Sequence, residues 1–120
     1  MSTFFTKNIN SNVCKFISNQ KIIGSCIFGI IDKNLRIYNI QVNKEYRNNK
    51  IGSLLLKEVE TYGKQHKNIK SISLTAHEDS DSNLQYFYQK NGFKIVNNSL
   101  LNYDDGINIY NLIDMKKYIS

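Results

Sequence analysis

The chain predicts an α/β (α+β) fold: a mixed β-sheet with an antiparallel N-terminal meander, a central β-α-β unit, and helices packed against the sheet. Three observations carry this. Residues from Val13 to Val42 alternate apolar and polar in three runs, broken by short polar turns. Apolar residues then recur at helical spacing from Ile51 to Tyr62, and a further alternating run, Ile69 to Ala76, follows at once. A helix between two strands of one sheet makes the strands on either side of it parallel neighbours.

The 120 residues form one domain with room for a single core. Met1 to Asn12 shows no periodicity and is rich in turn-favouring Asn and Ser, so it reads as a weakly structured arm with a short strand at Thr3 to Thr6. Val13 to Ser18 and Ile22 to Ile31 are the first two strands of the meander, joined by Asn19-Gln20-Lys21. Asp32-Lys33-Asn34 turns the chain into the third strand, Leu35 to Val42. A polar, basic turn leads to the helix, whose apolar stripe is Ile51, Leu54, Leu55, Val59 and Tyr62, with Lys64, His66 and Lys67 at the end where positive charge suits the dipole. The next strand puts Ile72, Leu74 and Ala76 on one face and Ser71, Ser73 and Thr75 on the other. A second helix, Ser82 to Lys90, is capped by Asp81 and stopped by Asn91-Gly92. Phe93 to Val96 is a strand, Asn97 to Gly106 a polar turn region, and Ile107 to Met115 the last strand. The order is β-β-β-α-β-α-β-β.

The formal charge of +6 suits an anionic partner: cofactor phosphates, nucleic acid or an acidic surface. The lysines are scattered along the chain, which argues against nucleic acid as the main partner. No apolar run approaches the roughly 18 to 20 residues that span a bilayer, and the first residues are too polar for a signal peptide. A soluble, intracellular protein with no membrane partner is the expectation. Cys14 and Cys26 fall near each other on a hairpin, which admits a disulfide; two buried thiols in a reducing compartment are the favoured reading.

The turn from Val42 to Gly52 has the outline of an anion site. At such a strand-to-helix turn the first backbone N–H groups of the helix lack internal partners and the helix dipole favours negative charge. Arg47 and Lys50 stand beside those donors. An ordinary connection with solvated charges is the plain alternative for these residues alone.

Two stretches together resemble a known family. Val42-Asn43-Lys44-Glu45-Tyr46-Arg47-Asn48-Asn49-Lys50-Ile51-Gly52-Ser53-Leu54-Leu55 is similar to the acetyl-CoA loop of the GCN5-related N-acetyltransferases (GNAT). Leu84-Gln85-Tyr86-Phe87-Tyr88-Gln89-Lys90-Asn91-Gly92-Phe93 resembles their later helix, with its Phe-Tyr-x-Lys-x-Gly-Phe pattern. The two come in the family's order, one helix and one strand apart, and the resemblance runs from about Val13 to Met115. It identifies the chain as a small, N-terminally abbreviated member.

The resemblance implies acetyl-CoA as the acetyl donor and a primary amine, of a small molecule or a protein, as the acceptor, through direct transfer without a metal. It matches Ile40, Gln41 and Val42 to the bulged segment whose backbone bonds the pantetheine arm. Its Arg/Gln-x-x-Gly-x-Gly/Ala motif falls on Arg47, Asn48, Asn49, Lys50, Ile51 and Gly52, with Ser53 following, and the backbone amides of this turn would hold the pyrophosphate. The tyrosine that protonates the departing thiolate matches Tyr88, and the asparagine seven residues before it matches Asp81. A phenol of pKa about 10 donates to a thiolate near about 8.5 only when held close to the sulfur. The plain alternative for Tyr88 is core packing beside Tyr86 and Phe87.

Some positions depart from the family. Lys50 stands at the first glycine of the motif and Lys44 where proline is common; if residue 50 needs φ > 0, lysine costs roughly 1 kcal/mol there, in part recovered at a phosphate. Asp81 still caps a helix but donates no amide hydrogen. The strand carboxylate that many members use as general base is replaced by Thr75. His77 and Glu78 are then the nearest titratable groups, His77 with an intrinsic pKa of about 6.5, and a water chain to bulk solvent serves equally. The family's pocket-forming N-terminal helices have only about a dozen residues to match them. The acceptor site would be open, completed by a partner subunit in a homodimer, or formed from the Asn97 to Gly106 loop with Tyr103, Asp104 and Asp105. Two rival readings are a CoA-binding module with weak catalysis and a basic nucleic-acid-binding domain.

Overall fold

A computed structural model describes residues 5–47, 50–78, 84–96, 101–104, 106 and 109–119. The sheet begins with a meander of β1 (Thr6–Ile9), β2 (Val13–Ser18), β3 (Lys21–Ile31) and β4 (Asn34–Val42). A 3-10 turn, Lys44–Tyr46, leads to α1 (Ile51–Lys67), then β5 (Ser71–Glu78), α2 (Leu84–Lys90), β6 (Lys94–Ile95), β7 (Leu101–Asp104) and β8 (Ile109–Tyr118). The strands lie in the order β1-β2-β3-β4-β5-β8-β6, and β7 pairs with β8 as well. Among the described residues only the β4–β5 pairing is parallel, as a helical crossover requires.

The meander matches the alternation in the sequence, with two hairpin turns tighter than expected. Asn19 and Gln20, and likewise Asp32 and Lys33, all take positive φ of 52° to 66°. A pair of central residues in that region is the two-residue hairpin geometry whose twist suits the flanking strands. The strands therefore start at Lys21 and Asn34, one residue earlier than the composition suggested.

Two corrections concern strands. The arm expected to be weakly structured, with a short strand at Thr3 to Thr6, holds its strand later, as β1 at Thr6–Ile9, which pairs Thr6 to Ile17 and Ile9 to Cys14. Its first three residues are exposed, so an edge strand with one half-buried residue offered no alternation to fix its bounds. The turn region from Asn97 to Gly106 contains β7, which runs Leu101–Asp104 against Leu112–Ile109. Residues 79–83 and 97–100 fall outside the described residues.

The core lies between α1 and one face of the sheet. Ile51, Leu55, Leu56 and Val59 of α1 are buried, together with Cys14, Phe16, Cys26, Phe28, Leu35, Ile72, Leu74 and Met115 from the strands. Leu56 takes the place expected for Leu54, which is 41% exposed. α1 approaches the sheet at two glycines. A Cβ on Gly63 would lie 2.5 Å from Ile69 Cδ1 and 3.2 Å from Leu35 Cδ1, so only glycine allows this contact without displacement. Gly24 does the same beneath the helix start. No helix among the described residues is long and apolar enough to cross a membrane.

Cys14 and Cys26 face one another across β2 and β3, and both are buried free thiols. Burial pushes the Cys26 thiol up to about 12, with the neighbouring Cys14 adding to it. It pushes Cys14 up to about 11, where Glu58 raises and Lys7 lowers the value further. Each thiol therefore keeps its proton in the fold at a pH where the unfolded chain, with its ordinary value of 9.0, has lost it. By linkage the unfolded state then binds fewer protons, so stability is intact below pH 9 and falls as the pH climbs toward 12. Urea denaturation from neutral pH to about 10.5 should show this decline, and Cys26→Ala should flatten it even though the variant is about 1–2 kcal/mol less stable at neutral pH.

Candidate active site

The end of β4 and the start of α1 are held in place by short-range geometry. Asn43 N–H donates to the Ile23 carbonyl at 2.8 Å, and the Asn43 side chain accepts from Glu45 N–H at 3.1 Å, capping the 3-10 turn. Arg47 Nε donates back to the Val42 carbonyl at 3.3 Å, which folds the guanidinium over the strand end. Lys50 then sits at φ 60°, ψ 21°, in the left-handed region, as the residue before α1. Among the described residues no side chain caps this helix. Its first N–H groups are left for solvent or a ligand, at the end where the dipole favours an anion.

These residues open on a cleft of about 340 Å³ lined by Ile40, Val42, Arg47, Lys50, Gly52, Ser53, Leu84, Phe87 and Tyr88. Gly52 brings the two helices together here: a Cβ on it would lie 3.0 Å from the Phe87 ring. Tyr88 is 6% exposed and packs edge-on against Phe87 and Phe93, with ring centroids 5.1 and 5.8 Å away. Burial, followed by the nearby Cys26 thiol, pushes its phenol up to about 12. An adjoining groove of about 930 Å³ shares Ile40, Val42, Arg47 and Leu84 and is also lined by Gln41 and Gly24.

The site residues expected from the sequence thus fall into groups. Ile40, Val42, Arg47, Lys50, Gly52, Ser53 and Tyr88 share one cleft, and Gln41 lies in the groove beside it. Ile51 is 1% exposed and its side chain belongs to the core, so only its backbone is available to the site. Asn48, Asn49 and Asp81 lie outside the described residues, as does the side chain of His77, whose backbone pairs with Leu112 in β8. The register shift in β4 puts the bulge at Tyr38, between Ile37 and Asn39, rather than at Ile40 to Val42. Leu84 and Phe87 line the cleft and were not singled out in the sequence. Phe87 lies inside the Phe-Tyr-x-Lys-x-Gly-Phe pattern and was legible there, whereas Leu84 carried no signal.

The sequence profile described as an Acetyltransferase (GNAT) domain matches residues 10–95, well over half of the chain. The chain belongs to the GNAT acetyltransferase family. Among curated proteins nothing matches. Solved structures are similar over most of its length. A GNAT family acetyltransferase from Elizabethkingia anophelis with acetyl-CoA bound is 26% identical at a TM-score of 0.71, over 91% of this chain and 77% of its own. PaiA N-acetyltransferase from Thermoplasma acidophilum, in complex with coenzyme A, is 26% identical at a TM-score of 0.67, over 89% and 60%. The ribosomal-protein-S18-alanine N-acetyltransferase from Escherichia coli shares the fold at a TM-score of 0.76 and 19% identity, over 90% and 68%. The GNAT fold explains why the mixed sheet, α1 and α2 surround this cleft.

Lys50 occupies a backbone conformation that costs a non-glycine residue roughly 1–2 kcal/mol. Lys50→Gly should stabilise the ligand-free protein by about 0.5–1 kcal/mol, because the greater freedom of glycine in the unfolded chain offsets part of the relief. Urea denaturation midpoints of the two proteins test this.

Proposed function

We propose that this GNAT chain transfers the acetyl group of acetyl-CoA to a primary amine by direct attack. The observation that carries the reading is the single cleft. It combines a helix N-terminus that no side chain of the described residues caps with Lys50 and Arg47 nearby, apolar walls from Ile40, Val42, Leu84 and Phe87, and a buried protonated tyrosine. An anion, an apolar arm and a leaving group that needs a proton are the three demands of a CoA thioester. The residues present fit them. Bound there, acetyl-CoA supplies an activated acyl carbon as a thioester.

The amides of the first α1 turn, with Lys50 and Arg47, hold phosphate charge through charge-assisted hydrogen bonds. The apolar walls exclude water along the path toward Tyr88 and so strengthen every polar contact in the cleft. Tyr88 keeps its proton at any physiological pH, since its phenol lies up at about 12. Such a weak acid is a poor donor to an ordinary thiolate near about 8.5. The apolar walls beside Tyr88 narrow that mismatch, because the desolvation that raises the phenol acts in the same sense on a thiolate formed against them. The proton can then pass from Tyr88 Oη to sulfur without a large uphill step.

Thermal-shift titration gives the first test. At about 100 times its dissociation constant acetyl-CoA should stabilise the fold by about 2.7 kcal/mol, and free CoA should do likewise while ATP does not. Lys50→Gly should weaken that binding, since it removes a cation at the phosphate site. Tyr88→Phe should lower kcat with an accepted amine by about 10²- to 10⁴-fold and leave the acetyl-CoA shift nearly unchanged. A full shift with no turnover across a panel of amines would mark a CoA-binding module. No shift at millimolar ligand would remove the enzyme reading.

A further inference from the structure

The sheet face turned away from α1 is covered by no helix among the described residues. α1 buries its stripe on the other face, and α2 lies beside α1 there, with the Phe87 ring against Gly52. Alternation along the strands shows what the open face carries. Lys15 stands between the buried Cys14 and Phe16, and Lys116 between the buried Met115 and Lys117, whose ammonium reaches Glu60 of α1. Lys94 is the register partner of Lys116 across β6 and β8 and shares its face.

This face is basic. Lysines scattered along the sequence are gathered on it by the fold, since Lys15, Lys94 and Lys116 come from three separate segments. None of them belongs to the ion pairs of the described residues, Lys7–Glu58, Lys21–Glu45 and Lys117–Glu60. Lys94 and Lys116 stand directly opposite one another, an arrangement that costs stability until an anion joins them. Asp114, the acid of the described strand residues on this face, is already engaged. Arg36 Nη2 donates to Thr75 Oγ1 at 2.6 Å, and the Thr75 hydroxyl donates to Asp114 Oδ1 at 2.7 Å.

The same face presents two rings. Tyr38 crosses β3 at Gly29, where a Cβ would lie 3.1 Å from its Cε2 and 3.3 Å from its Oη, so glycine seats the ring on the strand. Tyr118 holds the Lys116 ammonium 4.9 Å from its centroid. Both tyrosines are largely exposed, so each ring has one side taken by the protein and one side open. Beside Tyr118, Lys94 and Lys116 line a hollow of about 360 Å³ together with Gly92, Ile95 and Val96.

Charge and rings together select the occupant. A second copy of this face would set lysine against lysine, and an apolar partner would bury the lysines unpaired. An anion satisfies them, and an open aromatic side distinguishes a nucleobase from a lipid headgroup or an acidic side chain. We propose that this face binds single-stranded nucleic acid, with bases stacked on Tyr38 and Tyr118 and phosphates at the Lys94–Lys116 pair and at Lys15. A duplex does not fit, because its bases are stacked on one another and offer the tyrosines no free side. The inference goes beyond the transfer reading, and the hollow shares no lining residue with the Tyr88 cleft.

Fluorescence anisotropy with labelled oligo(U), oligo(dT) and a duplex of equal length tests it, with polyglutamate as competitor. One or both single strands should bind at least about tenfold more tightly than the duplex. Log affinity should fall against log salt with a slope of roughly −2, the value for three phosphates neutralised on a single strand. Tyr38→Ala and Tyr118→Ala should each weaken binding by about five- to a hundredfold, the scale of one stacked base, and Tyr118→Phe should bind as the wild type does. Lys116→Ala should make the slope shallower by about 0.7. Circular dichroism of the variants checks that the fold is kept. Equal affinity for the duplex, displacement by polyglutamate at equal charge, or binding indifferent to the loss of either ring overturns the inference. So does an absence of binding at low salt, or a dimer in sedimentation that Tyr38→Ala dissociates. The acetyl-CoA thermal shift stands or falls separately from each of these results.

Discussion

The close seat of α1 on β3 is the contact on which the rest of the site depends. A Cβ on Gly24 would lie 2.8 Å from Ile51 Cγ2 and 3.0 Å from Leu55 Cδ1, so the first turn of the helix rests directly on the strand backbone. Gly24 is also the residue that pairs with Val42, the last residue of β4. One position on β3 thus locates both the end of the strand that enters the loop and the start of the helix that leaves it. The Asn43–Ile23 backbone bond closes the arrangement. With both ends fixed, the loop has few ways to connect them. The left-handed Lys50 is the local cost of doing so, and the result is a helix N-terminus whose amides face a cleft rather than a cap.

The second constraint is the parting of β4 and β5. A parallel pair bonded over three positions is short for strands of nine and eight residues, and the bulge at Tyr38 lies just past the last of them. A bulge bends its strand and increases the local twist, which carries β4 away from β5 while β8 keeps β5 in place. The separation divides the sheet into two working surfaces. Helices and apolar residues cover one, where Tyr88 and the loop meet. The other carries Tyr38 and Tyr118, exposed by 64% and 78%, around the half-buried Arg36, Thr75 and Asp114.

Periodicity made the meander, α1 and β5 legible because each buries one continuous face: Cys14 and Phe16, Cys26 and Phe28, and Leu35 and Ile37 stand two apart, and Leu55 and Val59 stand at a helical spacing. Where that condition fails, the sequence misplaced a strand or missed it. β1 is an exposed edge strand, and β7 lies among polar residues, so neither carried a pattern. Lys50 was readable as a strained position from the motif alone, since only the alignment with a glycine pointed to a positive φ. The Arg36–Thr75–Asp114 chain was not. Thr75 stands 39 residues from each of its partners in the sequence, and their meeting is set by two separate strand registers that no local pattern encodes.

The burial of Tyr88 connects core and chemistry. Its neighbours are the aromatic rings of Phe87 and Phe93 and the thiol of Cys26, which itself faces Cys14 across the hairpin. Among the described residues the one charge that favours a thiolate here, Lys7 at Cys14, is outweighed by burial, and all three acids move up together. A proton donor in such a place is always loaded, which is half of what a leaving thiolate requires. The other half is that the thiolate be basic enough to take the proton, and apolar surroundings impose this on any sulfur that enters them. The proposed proton transfer therefore needs no group tuned by a dedicated partner. It follows from placing the donor and the departing sulfur against the same apolar walls of the cleft, and it would fail if those walls were replaced by polar side chains.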